Sequence, residues 1–324
     1  MGAHIRSVRG SIPCTAITES SKSLAKCQAF FIDTECNFMD PILLINKNLF
    51  IESVVRKLRQ SPIDFTEKMT WIQSLQGTSE PYSAAGVLLL LYYKKEHPDA
   101  DDQQGEFYFQ IIKRSVNVAQ PGDLSCPGGM LHPILDGLLR LLLVEGIVPV
   151  LKGYPKSSPR QRDENTFKTM TLFLANALRE SWEEIRLSPF NIQFLGPLPC
   201  HSLILFRRTI FPLVGLVKKE PSYRTNREVE RIVEIPIKSF FQADNYAQYL
   251  IETADSIKRS DQTSWQFPCF LHRDEQGRQE ILWGATFNII TRFLEILFDF
   301  KLPEIRSNRV ISRTLQHTYL TGCK

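Results

Sequence analysis

No two of the seven cysteines form a C-x-x-C pair: Cys14, Cys27, Cys36, Cys126, Cys200, Cys269 and Cys323 are scattered through 324 residues. An odd, dispersed set argues against a disulfide framework or a zinc site, and for reduced thiols in a cytosolic protein. Net charge is also scarce. The formal charge is +4, with lysine and arginine spread along the chain, so the sequence offers no basic patch of the kind that holds nucleic acid. Long apolar runs are missing. The stretches "VLLLLYY" and "LLRLLLVEGIVPVL" are too short, or too interrupted by charge, to span a bilayer. The first residues lack the apolar segment of a signal peptide, and no internal repeat is visible. The expectation is a cytoplasmic protein with neither a nucleic-acid nor a membrane partner.

What is present is ordinary globular material: 43% hydrophobic and 23% charged residues, enough chain for a sizeable core. Residues 1 to about 40 are polar and weakly periodic, and read as a loosely ordered lead. Apolar spacing of three and four predicts helix over 48–76, broken at Ser61-Pro62. The run "AAGVLLLLYYK" has strand length, "KEHPDADDQQG" reads as a turn, and "EFYFQIIKRS" as a second strand, so the pair predicts a hairpin with a long loop. A Gly/Pro-rich loop, "QPGDLSCPGGM", follows, then a short helix and an exposed basic loop. A helix over about 170–187 comes next, then strands in "FNIQFLGPLPCHS", "RTIFPLVGLVK" and "VERIVEIPI". "EILWGATFNIITRFLEILFDF" starts as strand at Ile281-Leu282-Trp283 and closes as helix. Strands, a helix between them, more strands and a final helix predict an α+β fold.

The helix "LANALRESWEEIRL", Leu174 to Leu187, raises the functional question. Glu180, Glu183 and Glu184 crowd one turn, and like charges at i, i+4 repel. Leu178, Trp182 and Ile185 are expected to form its buried stripe. Three carboxylates within a turn can converge on Mg²⁺ or Mn²⁺, hard cations that favour oxygen ligands. The alternative is a solvated face laced by Arg179–Glu183 and Glu183–Arg186 pairs, each contributing only a few tenths of a kcal/mol.

The spacing R-E-x-x-E-E resembles the core of the Nudix box, G-x5-E-x7-R-E-U-x-E-E-x-G-U with U apolar. Arg179, Glu180, Trp182, Glu183, Glu184 and Leu187 match, and Gly128-Gly129 in "CPGGM" resemble the glycines that open the box. The resemblance implies an α/β/α sandwich around a mixed sheet and hydrolysis of a nucleoside diphosphate linked to another moiety. Three departures stand out. About 36 residues are inserted between Gly129 and Arg179. Counting back from Arg179 puts Thr171 where the first signature glutamate belongs, with Glu164 the nearest acid in sequence. Arg186 replaces the closing glycine. The domain plan is a segment over 1–75, disordered then helical, and a Nudix domain over 76–324 with its insertion at about 131–168.

Upstream, "IIKRSVNVAQPGDLSCPGG" resembles the extension of coenzyme A pyrophosphatases through Arg114, Ser115, Gly122, Pro127, Gly128 and Gly129. "WGAT" at Trp283–Thr286 resembles that family's closing segment. The extension's Thr and Phe are Ile112 and Cys126 here, and its internal arginine is absent. The implied reaction is metal-assisted attack of water on the pyrophosphate of coenzyme A or a thioester, giving 3′,5′-ADP and 4′-phosphopantetheine. The resemblance makes Glu180 and Glu184 the principal metal ligands, Glu183 a third metal ligand or a catalytic partner to the water, and Glu180 a base. Arg179 orients Glu183 or another acid. Arg114, Ser115, Gly128 and Gly129 contact substrate. Another diphosphate, such as ADP-ribose, and a Nudix-fold nucleotide-binding module without turnover remain the alternatives. Several of these residues have plainer readings: Gly128-Gly129 as a tight turn, Arg114 in a surface ion pair, Trp283 as core packing, and His132 and His201 as structural histidines. Lys152, Lys156, Arg160 and Arg162 make the insertion a candidate contact for the 3′-phosphate. Leu138–Val150 is a candidate cover for a core edge, or a homodimer contact.

Overall fold

The run "AAGVLLLLYYK" is apolar toward both faces, and in the computed structural model it forms β1 (Ser83–Lys95), the centre of a mixed sheet. The structure describes residues 41–95, 105–154, 164–253, 264–305, 309–315 and 319, all within one unit spanning 37–324. β2 (Gly105–Arg114) returns antiparallel to β1, as the hairpin reading expects. The Gly/Pro stretch departs from its reading as plain loop, because it contains β3 (Leu124–Ser125) and β4 (Gly128–Met130). β4 lies antiparallel on β1 with Gly129 opposite Gly86. Backbone this close to a strand satisfies its polar groups by joining the ladder. β5 (Ile192–Pro197), β6 (His201–Leu203), β7 (Arg208–Val217) and β8 (Val229–Pro236) complete the sheet. β7 runs parallel to β1, while β5 and β6 pair antiparallel with β7, and β8 with β2.

Helices cover both faces. α1 (Pro41–Ile45), α2 (Lys47–Gln60) and α3 (Phe65–Ser74) answer the reading of 48–76, with the break where Pro62 disfavours helix at Ser61. α4 (Pro133–Val144) lies in the insertion, α5 (Glu164–Ile185) contains the glutamates, and α6 (Gly284–Phe298) is the closing helix. Strand residues alternate between faces. Leu88, Leu90 and Phe211 point to α5, where Phe211 stacks on Phe173 with 3.7 Å between ring centroids. Leu89, Leu91 and Ile210 join the opposite cluster with Phe50 and Val54 of α2 and Phe293 of α6. The result is α+β, with helical layers on both sides of a mixed sheet.

A second four-stranded sheet went unread in the sequence. It comprises β9 (Tyr246–Thr253), β10 (Ser264–Arg273), β11 (Gln279–Leu282) and β12 (Val310–Leu315), in the order β11-β10-β9-β12. Of these only the end of β11 was expected. The first half of β10 is largely exposed and lacks clean alternation, so its pattern signals little.

The stretch Leu138–Val150 divides its roles. Leu143 and Val150 are buried against the α5 side of the core, whereas Leu138, Leu141 and Ile147 stay exposed. Lys152 is exposed, and Lys156, Arg160 and Arg162 lie outside the described residues. No helix among the described residues is long and apolar enough to cross a membrane.

Candidate functional site

α5 ends at the site. Its buried stripe runs through Phe173, Leu174, Ala177, Leu178, Ser181 and Ile185. Trp182, expected in that stripe, is 45% exposed. The inner face is centred between Ser181 and Leu178, and at about 100° per residue Trp182 falls on its outer edge. The helix closes with Leu187 N–H donating to Ser181 O, and Arg186 at φ +56°. This is the left-handed helix end that glycine usually occupies. An arginine accepts it at a cost of roughly 1 kcal/mol, with its guanidinium 5.5 Å from the Trp182 ring centroid.

The three glutamates leave α5 with different fates. Glu184 is buried, Glu180 keeps 18% side-chain exposure, and Glu183 keeps 50%. The strand segment Gly128–Met130 meets the first two. Gly128 N–H donates to Glu184 Oε2 at 3.0 Å. A Cβ on Gly129 would lie 2.5 Å from Glu180 Cδ, and a Cβ on Gly128 2.3 Å from Gly86 O. Both positions therefore require glycine for close approach rather than for a turn, and Gly128 also has φ +151°.

Arg179 is held chiefly by a residue the sequence reading missed. Its Nε donates to Asp136 Oδ1 at 2.7 Å, while its contacts to Glu180 and Glu183 are 2.9 and 3.3 Å. Asp136 is fully buried and also accepts from Asn176 Nδ2 and from His132 N–H. Asn176 spans three elements, accepting from Gly86 N–H and donating to Met130 O as well. Thr171 is buried and accepts from Arg140 Nε at 2.8 Å, whereas Glu164 merely opens α5 on the surface. The acid that serves Arg179 thus comes from ahead of most of the insertion. Counting forward from Gly129 reaches Leu135, one residue from Asp136, and that count was the available signal.

Burial pushes Glu184 up to about 8, with the negative charge of Glu180 adding to the rise, while Gly128 N–H and the Arg114 charge oppose it. Glu180 is raised by burial against the opposing influence of Arg179. The Cys126 thiol is pushed up to about 12, by burial first and then by Glu184. Burial disfavours the charged form of such carboxylates, a penalty that a divalent cation would relieve. Hard oxygen donors on Glu180 and Glu184 suit Mg²⁺ or Mn²⁺. Among the described residues no group of three or more acidic, His or Cys side chains is already gathered for a metal, and Glu183 turns to Arg179 instead.

Arg114 ends β2, and its Nε donates to Ala119 O at 2.9 Å. Ser115 is buried and accepts from Asn117 within its own turn. The loop after it is tied down from the far end of the chain: Arg313 donates to Asp123 and Pro121 O, and the Tyr319 hydroxyl bonds Asp123. His132 caps α4, its Nδ1 accepting from Leu135 N–H. His201 lies in β6, and burial lowers its pKa. Trp283 is half-buried and packs on Tyr249 and the exposed Phe267, at the edge of the core and not within it.

No protein-family model matches the chain. Over 125 residues it is 32% identical to the uncharacterized Nudix hydrolase NudL of Pectobacterium atrosepticum, covering 38% of this chain and 58% of that protein. The match therefore spans less than two thirds of the relative's length. Among solved structures, a MutT/nudix family protein from Enterococcus faecalis aligns with a TM-score of 0.36 and 14% identity, over 76% of this chain and 74% of that one. A C. elegans Ap4A hydrolase binary complex aligns with a TM-score of 0.30 and 11% identity, over 48% and 80%.

Proposed function

We propose that the chain is a Nudix hydrolase, a metal-dependent diphosphatase acting on a nucleoside diphosphate derivative, with coenzyme A or its thioesters as substrate and a cytoplasmic setting. The observation that carries this is the seating of Glu180 and Glu184 against Gly128-Gly129, with Arg179 anchored on Asp136. The local identity to a Nudix hydrolase supports it, and the free Cys126, Cys200 and Cys269 suit a reducing compartment. Coenzyme A rests on the resemblance of the Arg114–Gly129 segment and Trp283–Thr286 to that subfamily.

Glu180 and Glu184 would be the principal Mg²⁺ or Mn²⁺ ligands, with Glu183 a third ligand or a partner to the water. A bound cation neutralises diphosphate oxygens and lowers the pKa of water. Glu180, half-buried with a raised pKa, takes the proton from the attacking water. Asp136 fixes Arg179, which keeps the glutamate side chains from repelling one another. Gly128 and Gly129, lacking side chains, let this segment seat against Glu180 and β1, and its backbone would then face the diphosphate.

The second reading is a nucleotide-binding module, favoured by Thr171 in place of the signature acid and by the absence, among the described residues, of a preformed trio of ligands. A panel of coenzyme A, acyl-coenzyme A, ADP-ribose and dinucleotides with Mg²⁺ or Mn²⁺ separates the two. Diphosphatase turnover that falls by about a hundredfold or more in Glu184→Gln is expected. Nucleotide binding without any metal-dependent phosphate product, in wild type and variant alike, would favour the module.

A further inference from the structure

The outer side of α4 is apolar and uncovered. Ile134, Leu135, Leu138, Leu141 and Leu142 are all exposed there, Ile134 at 75% and Leu138 at 60%. At about 100° per residue these five fall within a stripe about 120° wide, centred on Leu138. The other side of the helix is the one that packs. Asp136 and Leu143 are buried, and Arg140 Nε donates to Thr171 of α5. Ile147, also exposed, extends the apolar surface just past the helix end, where Val148 N–H turns back to Leu142 O. None of these six exposed side chains belongs to an apolar cluster among the described residues.

The charges of α4 point away from this stripe. Asp136 and Arg140 are its charged side chains, and both are engaged toward α5. The helix therefore lacks the basic border that draws an amphipathic helix to an anionic bilayer, and the charge pattern that selects a foreign protein. What the stripe has is symmetry. Ile134 and Leu142 stand four residues to either side of Leu138, and Leu135 and Leu141 three. A twofold axis at Leu138 lays Ile134 on Leu142, and Leu135 on Leu141, of an antiparallel copy. This is the self-complementary match of an isologous interface. The six side chains present on the order of 600 Å², at the upper limit of the apolar patch a soluble monomer leaves in water. Two copies together would bury about 1,200 Å² before any rim is counted, which reaches the range of stable interfaces.

We propose that α4 is a self-association surface, on which two copies of this chain pair antiparallel about a twofold axis at Leu138. The assignment stands apart from the hydrolase reading and does not depend on it. Because α4 also carries Asp136, the interface backs onto the residue that anchors Arg179.

Sedimentation velocity of the full chain over a micromolar dilution series tests this. Wild type is expected to sediment as a dimer. Leu138→Glu sets two carboxylates against each other at the axis, and is expected to weaken association by about a hundredfold or more. A short bis-maleimide is expected to join Leu138→Cys chains to one another. It is expected to join wild type far less, and likewise Ile204→Cys, a variant at another exposed apolar residue. A monomeric wild type overturns the proposal. So does a dimer that survives Leu138→Glu, or one that does not cross-link at position 138. Should Leu138→Glu not fold, the wild-type mass and the cysteine variants decide between the same outcomes. A monomer that floats with neutral phosphatidylcholine vesicles, and no longer does so as Leu138→Glu, overturns the pairing and gives the face to lipid. None of these measurements needs turnover, so a chain that hydrolyses nothing can still dimerise through α4, and an active monomer would lose this assignment alone.

Discussion

The adjacent glycines of "CPGG" carry different loads. At Gly129 an added Cβ meets the far end of Glu180, a side chain that can swing aside. At Gly128 it meets the backbone of β1, which cannot, and the backbone angle is one that other residues resist. Gly129→Ala is therefore expected to fold within about 1 kcal/mol of wild type while losing at least about tenfold in turnover, through a displaced carboxylate. Gly128→Ala is expected to cost on the order of 3 kcal/mol and to lower the expression of soluble protein. Paired denaturation and kinetic measurements read the difference. Equal stability losses in the two variants would refute the assignment of Gly129 to the site.

Among elements, the tie between α4 and α5 decides whether the inserted segment belongs to the site. Asp136 and His132 start α4, and Asp136 reaches Arg179 and Asn176 on α5. Removing the carboxylate strands a largely sequestered guanidinium and leaves the His132 N–H without its acceptor. Asp136→Ala is expected to destabilise by about 3 kcal/mol in urea titrations. A change under about 0.5 kcal/mol would mean that α4 is merely resting on α5.

For the whole molecule, Glu184 couples stability to pH. A glutamate in the unfolded chain titrates near 4.5, and in the folded chain Glu184 titrates near 8. Between these values the native state holds a proton that the unfolded chain has released, so folding weakens as pH rises through the window. Glu184→Gln removes that slope. In metal-free buffer the variant is expected to come within about 1 kcal/mol of wild type at about pH 5 and to exceed it by on the order of 4 kcal/mol at about pH 8. Added Mg²⁺ is expected to narrow the gap by stabilising only the wild type. A gap that does not vary with pH would contradict burial of this carboxyl.

The chain order of apolar runs, the hairpin, the broken helix over 48–76 and the R-E-x-x-E-E turn were determined by sequence alone. Each depends on periodicity or spacing within a few residues, which local physics reads directly. Gly128-Gly129 and Glu180–Glu184 could be nominated on the same ground. Tertiary structure decided the rest. Asp136 reaches Arg179 across the insertion, Gly128 meets Glu184 from 56 residues away, and Arg313 steadies Asp123 from 190 residues away. Such pairings follow from strand register and helix docking, and spacing along the chain does not encode them. Trp182 shows the same limit within a single helix: its heptad-like spacing was apparent, but which side of α5 met the sheet was settled only by packing.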